Sequence, residues 1–417
     1  MKKDLLHTPE GVRDIYGEEC QEKTMITGKL KNVCRKFGYS EIQTPSFEFF
    51  DVFNSERGSV PSNELFKFFD HHGNTLVLRP DFTPSVARIA AKYFHESKLP
   101  VKVYYSGNVF INHENAYRGQ LKENTTVGAE LMGCGDADED FEIICMAVEC
   151  MRSVGLKNFQ VEIGNVSFFK GLLQEAGIGE EDEARLVSLI NKKNFFGVEE
   201  LLNELSIEAS SAEALMAIPG LFGNREVLDR AAALTKNKEC TEAVQRLMVL
   251  YDKLRSVGLE DYVSFDLGSL SDHKYYTGII FKAFTYGTGE AVLSGGRYDR
   301  LIGQFGADRP STGFAITVDR LLDAFKRQNI SLSKDDDSIL FVYDSDALSK
   351  AENLVFRLRA EGRRAGMIPK SDGVSKEDYL EYSREWQFAK VILLSGDKTS
   401  LLINEDATTT PVITKEL

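Results

Sequence analysis

The 417 residues predict an α+β protein with a strand-rich core flanked by helices, a helical insertion within that core, and a small α/β domain after it. Three observations carry this. Runs rich in β-branched and aromatic residues recur up to Gly164 and resume at Val263. Between them, residues 166–258 read as helix following helix. After a polar stretch at 328–337 ending in Asp335-Asp-Asp337, apolar strands alternate with a helix, the pattern of parallel α/β units. The expected organisation is a core over 1–327, a linker over 328–337 and a small domain over 338–417.

Taken in order, Gly11-Val-Arg-Asp14 belongs to a loop-like entry segment. Apolar positions at Ile26, Leu30, Val33, Cys34 and Phe37 make a helical stripe that Gly38 ends. Strands follow at Tyr39–Pro45 and Asn74–Leu78, and the second delivers Arg79-Pro-Asp-Phe-Thr-Pro84 to a helix beginning near Ser85. Lys102–Tyr105 and Val109–Ile111 form strand, 112–122 a charged loop, and Asn124–Met132 a strand again. Asp136–Val154 is a helix with acids at its start, where the helix dipole favours them, and Phe159–Gly164 is a strand. Within the insertion, Ala243, Val244, Leu247, Met248, Tyr251 and Leu254 form one apolar stripe. Strands are expected next at Phe265–Leu267, Ile279–Thr285 and Glu290–Leu293. Ser294–Arg300 then reads as a tight turn into a helix, and Ser311–Arg320 as a strand entering one. In the small domain, Ser338–Tyr343 and Ala389–Leu394 read as strands around a helix at Ala347–Glu361.

Composition narrows the function. A hydrophobic content of 42% with 27% charged residues describes a water-soluble globular chain, and no apolar run approaches the roughly 20 residues that span a bilayer. The first residues lack an apolar signal region, so a cytoplasmic location is expected. Six cysteines without a Cys-x-x-Cys pair indicate neither a zinc cage nor a disulfide framework, and no metal or cofactor is expected. A net charge of −14 repels polyphosphate backbones on average, which argues against tRNA as a partner.

Three places hold chemistry-bearing residues in unusual settings. Asp81 and Thr83 stand at a strand-to-helix corner, where a short polar side chain either caps the helix or faces a ligand. Glu130 is a lone acid among Val127, Ala129, Leu131 and Met132, placed either on a wet face or against a cation. Tyr275 and Tyr276 lie in Ser269–Phe281; on a strand they would point to opposite faces, so that at most one ring faces a given pocket.

Laid end to end, these segments resemble the class II aminoacyl-tRNA synthetase core, and most closely the histidyl-tRNA synthetases. Gly38–Pro45 resembles the family's first motif, whose proline lies at a dimer interface, and Leu78-Arg-Pro-Asp-Phe-Thr83 its Leu-Arg-Pro-Glu-x-Thr signature. Asn108–Met132 resembles the second motif, Tyr275-Tyr-Thr277 and Gly295-Gly-Arg-Tyr-Asp299 the two histidine signatures, and Gly313–Leu321 the third motif. The resemblance covers about residues 8–325. It implies a histidine pocket formed by Asp81, Thr83, Thr126, Glu130, Tyr275 and Tyr276, with Asp81 shortening the usual glutamate and Thr126 replacing a common glutamine.

The positions that make an adenylate depart from the family. Its second-motif arginine falls at Ile111 or Asn112, its adenine-stacking aromatic at Asn124, and its histidine-specific arginine at Ser271. Losing one preorganised donor costs on the order of 2.7–4 kcal/mol of transition-state stabilisation, so losing two cationic ones should silence the reaction. No catalytic residue is therefore assigned. The small domain holds 13 acids against 11 bases, where RNA binding would favour a basic face. A pocket kept without its phosphate grip resembles a paralogous family, the regulatory subunits of ATP phosphoribosyltransferase. That resemblance implies a noncatalytic, histidine-sensing chain that pairs with itself and joins the short catalytic subunit in a hetero-octamer. A working histidyl-tRNA synthetase and a stand-alone histidine sensor are the alternatives.

Overall fold

A computed structural model describes residues 6–53, 60–113, 120–192, 194–269, 275–330, 332, 337–396 and 399–414. The chain divides into two compact units, one of residues 1–13 and 25–330, the other of residues 14–24 and 331–417.

The first unit is organised by a nine-stranded sheet. Its order is Ser40–Glu41, Val101–Phe110, Glu123–Met132, Ser311–Thr317, Leu293–Arg297, Ile279–Thr285, Phe159–Asn165, Val263–Asp266 and Phe222–Gly223. The six strands from Val101–Phe110 to Phe159–Asn165 are antiparallel throughout, the arrangement expected of a class II core. The helix Gly17–Lys36 buries Ile26, Leu30, Val33 and Cys34, the predicted stripe. A three-stranded antiparallel sheet, Phe47–Phe49, Thr75–Leu78 and Lys67–Phe69, leads into the helix Thr83–Tyr93.

The run Ser294–Arg300 is not the expected turn into a helix. Leu293–Arg297 is an interior strand, followed only by a single 3-10 turn at Ile302–Gln304. Its glycines serve close approach: a Cβ on Gly295 would lie 2.4 Å from the Gly313 carbonyl oxygen, and one on Gly296 2.7 Å from the Tyr276 ring.

The insertion is helical as read, with Val166–Ala176, Glu180–Asn191, Phe195–Glu204, Ala209–Ala217, Glu226–Leu234 and Lys238–Ser256. A fully buried carboxylate joins it to the core. Asp140, in the first turn of helix Ala137–Ser153, is fully buried. Its Oδ1 accepts from Arg297 Nε at 2.9 Å and Nη2 at 2.6 Å, and its Oδ2 from Arg246 Nε at 2.6 Å. Arg246 lies on Lys238–Ser256 and Arg297 ends a central strand, so helix, sheet and insertion meet on one side chain. The acid expected at a helix start for dipole reasons thus has a heavier structural task.

In the second unit a five-stranded sheet runs Ala365–Pro369, Ile339–Tyr343, Lys390–Leu394, Ser400–Ile403 and Thr409–Val412. The first three strands are parallel, as the βαβ pattern predicts, and the last two add an antiparallel edge not anticipated. Helix Leu348–Ala360 buries Ala351, Leu354, Val355 and Leu358. Of the segment read as a linker, residues 331 and 333–336 lie outside the described residues.

Candidate functional site

Strand Thr75–Leu78 ends where Arg79 can fold inward. Its Nε donates to the Asn108 carbonyl at 2.8 Å and its Nη1 to the carbonyls of Thr44 at 2.9 Å and Pro45 at 3.2 Å. The guanidinium also lies over the Phe82 ring, 4.0 Å from its centroid. This fixes the corner carrying Asp81. Asp81 Oδ1 accepts from the backbone N–H of Phe82 at 2.6 Å and of Thr83 at 3.3 Å, so the aspartate, not the threonine, satisfies the helix start. Thr83 is left free to donate from Oγ1 to Glu130 Oε1 at 2.9 Å.

Glu130 does not stand on a wet face. It is 1% exposed and held by hydroxyls: besides Thr83, Tyr105 donates to Oε1 at 3.2 Å and Tyr298 to Oε2 at 2.6 Å. Gly313, directly across the strand pair, makes the space, since a Cβ there would fall 1.6 Å from Oε2. Burial pushes the carboxyl up to about 8; the Tyr298, Thr83 and Tyr105 hydroxyls pull it down less, and Asp81 adds to the rise. Burial, together with the nearby carboxylates of Asp81 and Glu130, likewise raises the phenols of Tyr275 and Tyr276.

The two tyrosines precede strand Ile279–Thr285 and so escape its alternation. Both line the cavity, with ring centroids 4.8 Å apart at 61°. Tyr275 Oη donates to Asp81 Oδ2 at 3.4 Å, and its ring meets that of Tyr298 edge to face. Asp81, Thr83, Thr126, Glu130, Tyr275 and Tyr276 all line one open cavity of ≈ 240 Å³. Tyr105 and Tyr298 escaped the reading of individual residues. Tyr298 stands inside the Gly-Gly-Arg-Tyr signature, while Tyr105 is marked only by its register opposite Gly128.

The positions expected to have lost adenylate chemistry fall in different places. Ile111 lines the same cavity with an aliphatic side chain. Asn112 donates its backbone N–H to Glu64 at 2.8 Å and does not line it. Asn124 donates to the Leu121 carbonyl at 2.9 Å and lines a second cavity of ≈ 180 Å³, where Glu290, Asp319 and Asp323 stand with Arg320 and Arg327. Ser271 lies outside the described residues. Arg320, which borders both cavities, pairs with Glu290 and donates to the Ala291 carbonyl at 2.8 Å. Arg79 is committed to backbone. The first cavity presents carboxyls and phenol rings, groups suited to an ammonium and a flat heterocycle, and the second sets three acids beside two arginines and His113.

Comparison with known proteins shows which family the chain is similar to. The histidyl-tRNA synthetase family model matches residues 11–321. The chain is 39% identical over 357 residues to the ATP phosphoribosyltransferase regulatory subunit of Acetivibrio thermocellus, covering 86% of this chain and 85% of that one. It is also 39% identical over 398 residues to that of Clostridium acetobutylicum, covering 94% and 96%. A crystal structure described as an ATP phosphoribosyltransferase regulatory subunit/histidyl-tRNA synthetase from Bacillus halodurans superposes with a TM-score of 0.84 at 29% identity, over 95% of this chain and all of that one.

Proposed function

The chain belongs to the family of ATP phosphoribosyltransferase regulatory subunits, built on the histidyl-tRNA synthetase fold, and from that premise we propose that it is the noncatalytic partner of a short-form catalytic ATP phosphoribosyltransferase. In this role it is required for full activity of the catalytic chain and transmits histidine feedback to the first step of histidine biosynthesis. The observation that carries the reading is the split between the cavities: Asp81, Glu130 and the tyrosines remain around an amino-acid-sized space, while Ile111 stands at its wall without charge. Such a site can bind histidine and has little with which to steady a reacting phosphate. Feedback then requires that histidine bind one state of the complex more tightly than another.

The test is reconstitution. Adding this chain to the short catalytic subunit should raise phosphoribosyl-ATP formation, and histidine should lower it; absence of stimulation would overturn the proposal. Histidine-dependent ATP–pyrophosphate exchange by the chain alone, at an ordinary enzymatic rate, would instead make it a synthetase. Glu130→Ala should weaken histidine binding by about 2 kcal/mol or more in calorimetry at about pH 8, where the carboxyl can ionise, roughly thirtyfold, because a buried charge-assisted bond is lost. Unchanged affinity would remove Glu130 from the ligand's contacts.

Assembly is part of the proposal: two regulatory chains pair across the first-motif face, and four join four catalytic subunits. What supports pairing is an exposed aromatic face two residues beyond Pro45. Phe47 and Phe49 are 52% and 56% exposed on either side of buried Glu48, and Phe68 joins them across Leu76. Phe47→Asp with Phe49→Asp should shift the chain from dimer to monomer in light scattering, with its circular dichroism unchanged. A dimer that survives both substitutions places the interface elsewhere.

A further inference from the structure

Among the described residues that line the first cavity, Arg320 is the only basic one, set against the acids Asp81 and Glu130. Both signs of charge therefore border one space of ≈ 240 Å³. A free amino acid carries an ammonium and a carboxylate together, and the two acids answer only the first. Its carboxylate calls for a cation, and a guanidinium can grip it through two parallel N–H bonds. Glu130 faces Gly313 across the strand pair, and Thr126 faces Thr317 farther along the same strands. Arg320 stands beyond the second pair, in the first turn of helix Val318–Gln328. Thr317 donates its N–H to the Val292 carbonyl at 3.0 Å, and Arg320 Nη1 donates to the carbonyl of the preceding residue, Ala291, at 2.8 Å. The guanidinium thus lies at the Thr317 end of the cavity, away from Glu130.

That guanidinium is engaged, but not locked. Its Nη2 pairs with Glu290 Oε2, and the two side chains are 41% and 46% exposed. An ion pair open to water on both sides contributes little, so exchanging Glu290 for another carboxylate costs little. Glu290 also has a second donor, since Gln120 Nε2 donates to its Oε1 at 3.1 Å. Releasing the arginine therefore leaves no buried charge without a partner. A ligand carboxylate held inside the cavity is shielded from water in a way that Glu290 is not, which favours the exchange.

We propose that Arg320 leaves Glu290 when ligand binds and takes the carboxylate of the amino acid in the first cavity, making it the residue that selects a free amino acid over the corresponding amine. The inference rests on the histidine reading of that cavity. The experiment is calorimetry on the full chain at about pH 8, where Glu130 can ionise, with L-histidine and with histamine, which keeps the ring and the ammonium but lacks the carboxylate. The wild type should prefer histidine by about tenfold or more, the worth of a charge-assisted bond. Arg320→Gln should abolish that preference, weakening histidine about tenfold while histamine stays within about twofold; retained histamine binding shows that the variant folds. Glu290→Gln, which removes the competitor, should tighten histidine by about two- to fivefold and leave histamine unchanged. If Arg320→Gln keeps the preference or weakens both ligands alike, or if Glu290→Gln does not tighten histidine, the inference is wrong and the histidine reading stands. If the wild type binds neither compound, the histidine reading itself fails and takes the inference with it.

Discussion

Replacing Asp140 with alanine is expected to cost about 3–5 kcal/mol of folding stability, the range found when one partner of a buried ion pair is removed. Asp140 is fully buried and holds two arginines, of which Arg297 is itself buried. Without the carboxylate, Arg297 keeps hydrogen bonds to the Cys134 and Asp136 carbonyls but no anion other than Asp299, at 3.2 Å. Arg246 keeps the Gly135 and Asp136 carbonyls alone among its described partners. Urea unfolding of Asp140→Ala measures the cost, and a loss under about 1 kcal/mol would show that these carbonyls suffice. The surface pair of Arg185 and Glu204 is the control: Glu204→Ala should leave the midpoint unchanged, since the pair is solvated on both sides.

The second large effect is a pH dependence centred on Glu130. Its carboxyl is raised from 4.5 to about 8 in the folded chain, chiefly by burial. Between those values the unfolded state has released the proton and the folded state retains it, so stability falls as pH rises. The contribution is fully present below pH 4.5 and gone above about 8, and amounts to on the order of 4–5 kcal/mol. Subtracting the denaturation curve of Glu130→Gln from that of the wild type isolates this slope. Parallel curves from pH 5 to 8 would mean that Glu130 is ionised throughout. The same linkage makes ligand binding proton-coupled: an ammonium favours the ionised carboxylate, so histidine affinity should rise with pH up to about 8.

Much of the architecture was legible because it is written locally. The apolar stripe through Ile26, Leu30, Val33 and Cys34 is a spacing, and the strand character of 124–132 a composition. The site residues could be named because the Leu-Arg-Pro and Tyr-Tyr signatures are also local. Their environment could not. The hydroxyls on Glu130 come from Thr83, Tyr105 and Tyr298, the last 168 residues away, so no window of sequence contains the reason for its burial. Asp140 looked like an ordinary dipole-favoured acid because its partner Arg297 is 157 residues off. Gly295 and Gly296 fit a turn on sequence alone because glycine serves tight turns and tight packing alike, and the neighbouring Gly313 strand and Tyr276 ring distinguish the two. The antiparallel edge formed by Ser400–Ile403 and Thr409–Val412 leaves little trace in the sequence, each strand having four residues.

Arg79 bears on how such a signature is read. Its described backbone acceptors are the carbonyls of Thr44, Pro45 and Asn108, atoms that every amino acid supplies. Substitutions at those three positions can leave the clamp standing, whereas lysine at position 79 would have one point of attachment in place of a fork. The informational burden therefore falls on a single letter. That letter is required for carpentry rather than for chemistry, and its presence in a chain is no witness that ATP was ever bound there.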